Sequence, residues 1–311
     1  MNTLLQSCKQ YGTKSYRRVL FLYLLIFFQL FSCNVSLDIT DDNSLKIVYS
    51  FEQYTCESYL AWKDGLASQG CAIYDGYLYQ FRHSGMVDCY ELKDDSLVFI
   101  NKIALNSLGS NNHCNSVQFD RNKSNSNYGI IYVSASVINN RACYVERICT
   151  THSELIQTIK IGTSTIIPST MGFNFQVGDD GYLWLVGYFD STLRFVKIRK
   201  PDISIPNVTL SDEDIIDYWE RKDYNYENEA LQGMKIYEGH LYLVYGGSYN
   251  RRGIWVYNTE THHLERNIDM TGSLFEEFED IEFYNNYGYL FVLSNYIYRF
   301  CCPSKDVNSM I

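Results

Sequence analysis

Asp75-Gly76-Tyr77-Leu78-Tyr79 returns in four further versions along the chain. They are Tyr128-Gly129-Ile130-Ile131-Tyr132, Asp180-Gly181-Tyr182-Leu183-Trp184, Glu238-Gly239-His240-Leu241-Tyr242 and Tyr287-Gly288-Tyr289-Leu290-Phe291. The intervals between their glycines are 53, 52, 58 and 49 residues. A repeat of this period, read before any individual element, points to a modular fold. Asp-Gly between two β-rich runs is a hairpin signal, because glycine takes the positive φ that tight hairpin turns need. Each phrase therefore reads as the turn between two antiparallel strands.

Further strands follow most turns: Gly85 to Leu92 and Ser96 to Leu105, Arg141 to Cys149 and Glu154 to Ile161, Leu193 to Arg199, Gly253 to Tyr257 and His263 to Met270. Four short strands per ~50 residues, repeated around an axis, is the pattern of a β-propeller. The fold expected is all-β, a five-bladed propeller of four-stranded antiparallel blades over residues 44 to 303. The last unit offers only Tyr296 to Phe300 after its turn, so its outermost strand is expected from Leu45 to Gln53. Closing the ring this way covers edges that an open sheet leaves bare. The longest interval holds Ser211, a capping residue, before Asp212-Glu213-Asp214 and the apolar Ile215, Ile216 and Trp219. This predicts one short helix between blades 3 and 4.

Outward from the repeat, the N-terminal region reads differently. Lys14, Arg17 and Arg18 precede an apolar run, Val19 to Phe31, that ends in Leu30-Phe31-Ser32-Cys33. A basic start, an apolar middle and a small residue before the cleavage point describe a signal peptide over residues 1 to 32. This thirteen-residue run, apolar except for Gln29, falls short of the ~20 residues that span a bilayer as a helix. Residues 33 to 43 read as a polar, acidic tether, and residues 304 to 311 as a C-terminal tail. Export leaves 22 basic against 36 acidic residues, a net charge of −14. Such a surface repels phosphate backbones, so nucleic acid is excluded as a partner. Of the cysteines beyond Cys8 and Cys33, most are expected to be buried thiols, and no Cys-x-x-Cys or Cys–His metal spacing is expected.

The starts of the innermost strands converge on one end of a propeller's axis. Counting back seven or eight residues from the turn glycines selects Gln69, Asn174, Gln232 and Asp280 beside Glu279, with His113 and Asn115 at the same place in blade 2. These seven residues form the candidate ligand ring. Gln69-Gly70 and Gln232-Gly233 repeat one another, and a purely architectural role competes with recognition: glutamine bonding a neighbouring blade, glycine permitting close approach. Tyr74, Trp184, Tyr237, Tyr242 and Trp255 are read as core between blades, and His262-His263 as a solvated turn. No cofactor is expected, with calcium on Asp179-Asp180 or Asp212-Glu213-Asp214 as the alternative. A glycosidase needs two carboxylates flanking the scissile bond, for which Glu227 or Glu229 would have to join Glu279.

The Ser32-Cys33 step resembles the bacterial lipobox, which implies acylation of Cys33 and attachment to the membrane through a lipid anchor alone. Together with the tether and the Asp-Gly-Tyr-Leu turns, it resembles the uncharacterised β-propeller lipoproteins of Bacteroidetes. Gln69-Gly70, His113-x-Asn115 and Gln232-Gly233 are more loosely similar to propellers of phage receptor-binding and teichoic-acid-biosynthesis-type proteins. The resemblance implies an outer-membrane, periplasmic or cell-surface protein that recognises a glycan at the axial mouth, and it carries over no catalytic residue. A propeller glycoside hydrolase or lyase acting on extracellular polysaccharide is the alternative, and a scaffold docking envelope proteins is a third.

Overall fold

The computed structural model describes residues 36–40, 46–50, 52–55, 68–93, 96–107, 113–121, 129–135, 141–168, 171–225, 227–246, 251–271, 277–285, 287–292 and 296–301. The chain divides into two units, Met1–Ser36 and Leu37–Ile311. The segments read as signal peptide, acylation site and C-terminal tail lie outside the described residues. Within the second unit, five antiparallel sheets form the blades of a propeller. Among the described residues no helix is long and apolar enough to cross a membrane.

Each blade begins with its innermost strand. Blade 1 runs Ser68–Tyr74, Tyr77–Arg82, Met86–Leu92 and Leu97–Ala104. Blade 2 runs Ser116–Phe119, Ile130–Ser134, Ala142–Ile148 and Ser153–Ile161, and blade 3 runs Gly172–Val177, Leu183–Phe189, Thr192–Ile198 and Ile215–Arg221. Blade 4 comprises Leu231–Tyr237, His240–Tyr245, Gly253–Asn258 and Leu264–Asp269. Phe278–Tyr284, Tyr287–Val292 and Tyr296–Cys301 make blade 5, whose outer strand is Glu52–Thr55, with Tyr296 opposite Thr55 and Arg299 opposite Glu52. The expected N-terminal closure is thus present, made slightly later in the chain than Leu45 to Gln53. Lys46–Ser50 instead pairs in a two-stranded sheet with Ser36–Thr40, which lies inside the stretch read as a tether, where apolar Leu37 and Ile39 alternate with polar neighbours.

The core lies between blades rather than within one. Five apolar clusters fill the five seams: Ala72, Val117 and Phe119 between blades 1 and 2, Val145 and Phe175 between 2 and 3, Phe195 and Met234 between 3 and 4, Val256 and Ile281 between 4 and 5, and Ile73 and Phe291 between 5 and 1. Each fully buried side chain of this size contributes about 1.5–3 kcal/mol relative to exposure. Trp184, Tyr242 and Trp255 belong to this core. Tyr74 and Tyr237 are half-buried and pack on the seam clusters from one end.

The repeated turns have the expected chemistry where both central residues take positive φ, as at Asp75-Gly76 (50° and 79°) and Glu238-Gly239 (48° and 74°). In blade 5 the turn falls earlier, at Asn285 (φ 49°), and Gly288 lies in the strand that follows.

The expected helix between blades 3 and 4 is not formed. Ser211 caps a single 3-10 turn, Asp212–Asp214, and the chain continues as the strand Ile215–Arg221. Burial along that strand alternates, with Ile215, Asp217, Trp219 and Arg221 turned inward and Ile216, Tyr218 and Glu220 outward. β-Branched and aromatic residues at period two favour a strand over the helical face drawn through Ile215, Ile216 and Trp219. Before reaching this strand, the chain crosses to blade 2 and adds Asn207–Leu210 as a fifth, parallel strand beside Ser153–Ile161. Gln157 secures the excursion by donating to the carbonyls of Asp202 and Ile205, both at 2.7 Å.

Candidate functional site

Three of the five inner strands start with the same irregularity. In blade 1 the pairing jumps from Ser68–Arg82 to Cys71–Gln80, in blade 4 from Leu231–Tyr245 to Met234–Leu243, and in blade 5 from Phe278–Val292 to Asp280–Phe291. Gln69-Gly70, Gln232-Gly233 and Glu279 are the residues left over. A bulge breaks the in-and-out alternation and re-aims the side chain it releases. Blades 4, 5 and 1 are neighbours in the ring, so the three bulges fall on one side of one mouth.

At that mouth the backbone carbonyl of Gln232 is a hub. The side-chain amide of Asn115 donates to it at 3.0 Å, and the amide of Asn174 donates to it as well. The Gln232 amide in turn donates to Glu277 Oε1 at 2.6 Å. Asn115, Asn174, Gln232 and Glu277 thus form one connected group from blades 2, 3, 4 and 5, with Glu279 electrostatically coupled to Glu277. Gln69 is buried at the start of blade 1. His113 stands apart from this group and pairs with His83, Nδ1 to Nδ1 at 2.7 Å, one ring donating and the other accepting.

Asp280 does not face the mouth group. Its side chain is fully buried, accepts the N–H of Cys71 at 3.0 Å and of Ile281 at 2.9 Å, and packs on Gly233. It braces blades 4, 5 and 1. Nor do Glu227 and Glu229 supply a second carboxylate. Glu229 is held by Arg251 at 2.8 Å and Arg221 at 3.5 Å, and Glu227 is exposed. The carboxyl that acts on Glu279 most strongly is Glu277, just ahead of the strand, a position the count back from Gly288 passes over.

Burial governs the protonation of this end. It raises Glu277, against the lowering effects of Gln232 and Arg252. It raises Glu279 well above the carboxylate range, with Glu277 and then Asp280 adding to the rise. Burial, and then His83, push His113 down to about 4. Asp280 is raised to about 8 by burial, which outweighs Lys235 and its two N–H donors. A carboxyl whose folded pKa exceeds its unfolded value of about 4 stabilises the fold fully below that pH and loses the contribution as pH rises through the folded value. The difference in urea midpoint between wild type and Asp280→Asn is therefore expected to shrink steadily from pH 4 towards pH 8. A flat difference would remove Asp280 from this role.

Deeper along the axis the channel is filled. Lys235, buried, donates to the Val117 carbonyl at 2.9 Å across the ring and to Glu282 at 3.2 Å. Gln176 donates to Ser116 Oγ at 2.8 Å and to the Val117 carbonyl at 3.2 Å. These bonds tie blades 2, 3, 4 and 5 together across the axis.

No protein-family model matches this chain, and no curated protein matches it in sequence. Among solved structures, the chain is similar to the exo-β-1,3-galactanase of Phanerochaete chrysosporium with β-1,3-galactotriose, at 12% identity and a TM-score of 0.49, over 85% of this chain and 62% of that one. It is also similar to the glutaminyl cyclase of Myxococcus xanthus (10% identity, TM-score 0.46, 80% and 93% covered). A third is the virginiamycin B lyase of Staphylococcus aureus (11%, 0.44, 81% and 99%). The chain spans 62% of the length of the galactanase, and none of these likenesses assigns it an activity.

Other groups singled out in the sequence have local partners. Asp180 accepts from Trp184 Nε1 at 3.2 Å and pairs with Lys197 at 2.9 Å, and Asp179 accepts the N–H of Glu238 at 2.8 Å. Asp212 accepts from Ser164 and Thr165, which lower its pKa to about 2, and Asp214 caps Ser211. These oxygens serve neighbouring donors, which leaves the two acidic clusters poor candidates for calcium. His262 is not simply solvated: its ring stacks on Trp219 at 4.1 Å, and Nε2 lies 2.8 Å from Asp217. Cys71, Cys89, Cys114 and Cys143 are buried free thiols, as expected.

Proposed function

We propose that the protein binds an uncharged, hydroxyl-rich ligand of the glycan class at the axial mouth, where the inner strands begin. The observation that carries this reading is a buried acceptor, Asn115 Oδ1, that has no hydrogen-bond donor among the described residues, beside the buried carboxyl of Glu279. Buried polar atoms without partners are rare and costly, and a ligand rich in O–H groups would satisfy this one. Burial raises the Glu279 pKa and so favours its neutral form, which suits a sugar hydroxyl better than a cation. The chain's net charge of −10 disfavours polyanions. In this reading the protein is an exported lipoprotein of the Bacteroidetes type, held to the envelope through Cys33, and membrane fractionation of Cys33→Ser tests the tether.

Hydrolysis is the second reading. It is favoured by Glu277 and Glu279, one carboxyl just ahead of the inner strand of blade 5 and one at its bulge, both with raised pKa values. One acid and one base are what a glycosidase requires. Purified protein incubated with a panel of polysaccharides, followed by retention and by mass analysis of the supernatant, separates the two. The expected result is retention without fragments, weakened about tenfold or more in Gln232→Ala/Glu279→Ala. Unchanged retention in that variant would move the site elsewhere. Fragments that vanish with Glu277→Gln would replace binding by hydrolysis.

A further inference from the structure

The turn between the third and fourth strands of blade 2, with the first two residues of the fourth strand, reads Cys149-Thr150-Thr151-His152-Ser153-Glu154. The Cys149 thiol, one imidazole nitrogen of His152 and one carboxylate oxygen of Glu154 all lie within 4.8 Å of one another. We propose that these three residues form a zinc-class divalent-metal site on the outer hairpin of blade 2, with water at the fourth position. Contrary to the expectation of no Cys–His metal spacing, Cys149 and His152 stand at such a spacing, with Glu154 two residues on.

The local geometry orients each donor. Cys149 N–H bonds the His152 carbonyl at 2.8 Å and closes the turn, which brings residues 149 and 152 to the same end of the hairpin. Thr151 Oγ1 lies 3.4 Å from His152 Nδ1, and the opposite nitrogen, Nε2, stands 4.0 Å from Glu154 Oε1. Arg147 engages the other carboxylate oxygen, Oε2, at 2.7 Å. Thr151 and Arg147 thus occupy the outer atoms and leave Nε2 and Oε1 facing each other, as partners behind metal ligands do. Around a tetrahedral zinc with bonds of about 2.0–2.3 Å, ligand atoms stand about 3.3–3.7 Å apart. Closure therefore asks for less than the reach of two exposed side chains.

The donor set selects the metal. A thiolate with an imidazole suits zinc and its neighbours, whereas calcium and magnesium take oxygen ligands. Three protein ligands leave the coordination open, the arrangement of zinc sites that retain a water. Cys149 and Thr150 also line a cavity of about 240 Å³ between blades 1 and 2, with Tyr77, Tyr79 and Asn101. The Asn101 amide donates to the Thr150 carbonyl and fixes the turn against blade 1.

The test is to titrate the reduced, metal-free full chain with Co²⁺ and then with Zn²⁺. A thiolate-to-cobalt absorption that zinc displaces is expected, absent in Cys149→Ser, with zinc affinity lowered roughly tenfold or more in His152→Gln and in Glu154→Gln. The latter two substitutions fall on exposed side chains and leave the circular dichroism spectrum unchanged, so they decide the matter even if Cys149→Ser misfolds. No cobalt absorption in the wild type, an absorption that survives Cys149→Ser, or unaltered zinc affinity in both other variants overturns the proposal.

Discussion

Lys235→Ala is expected to lower the unfolding free energy by about 3 kcal/mol, towards the lower end of what breaking a buried ion pair costs. The ammonium is buried and joins three blades, lying in blade 4 and reaching the Val117 carbonyl of blade 2 and Glu282 of blade 5. Alanine would leave the Glu282 carboxylate in the seam with the N–H groups of Ile73 and Phe283 and, as its remaining cation, Arg121 at 3.5 Å. Arg121 is 39% exposed, so solvent screens that pair. It would also leave the Val117 carbonyl with Gln176 alone among the donors described. The double variant Lys235→Met/Glu282→Gln keeps an acceptor for the Ile73 N–H and removes the unpaired charge, and is expected to recover about half the loss. Urea midpoints check both figures. A loss below about 1 kcal/mol for Lys235→Ala would mean that water reaches the axis and that the channel is not closed by this pair.

Gly233→Ala is expected to be at least as damaging, about 3 kcal/mol or more. A Cβ there would lie 2.2 Å from Asp280 Oδ1, 2.6 Å from Asp280 Cα and 2.7 Å from the Glu279 carbonyl. Two of those atoms are backbone, so no rotamer change relieves the contact, and blades 4 and 5 would have to separate. Gly70→Ala meets the Cys114 carbonyl at 2.3 Å and should behave alike between blades 1 and 2. Gly239→Ala provides the contrast. Its φ is +74° with nothing within 4 Å of the added atom, so only backbone strain of about 1–2 kcal/mol applies. Thermal midpoints that rank Gly239→Ala as the most damaging would refute the close-approach account.

The two halves of the repeated Gln-Gly step therefore separate. Glycine's share is legible from sequence, because a residue without Cβ at a crowded axis has few other uses. Glutamine's share is not, since the bulge that re-aims it depends on pairing with a strand ten residues away. Gln232 donates its amide to Glu277 and offers its carbonyl to Asn115 and Asn174, rather than bonding a neighbouring blade's carbonyl. The turns were readable because Asp-Gly chemistry is local. The segment after Ser211 was not: its capping signals are genuine, and apolar positions at 215, 216 and 219 suit one helical face, but pairing with Thr192–Ile198 makes it a strand with Ile215 and Trp219 inward and Ile216 outward. His83 and Glu277 escaped because they come from a connection and from the residue ahead of a strand, where spacing from the repeat gives no guide. Lys235 escaped for a different reason: a lysine in an inner strand has no sequence mark that it is buried.

The outer strand of blade 5 sets a clock on the whole ring. Glu52–Thr55 is made early and its partner Tyr296–Cys301 about 240 residues later. At about 5–20 residues per second of translation, the first strand must wait roughly 10–50 s before the residue it pairs with exists. Throughout that interval an unpaired edge stands open to any other β-strand it meets. The yield of correctly closed rings is therefore a kinetic quantity, set by how well that edge is kept from the wrong partner, as much as by the stability of the finished propeller.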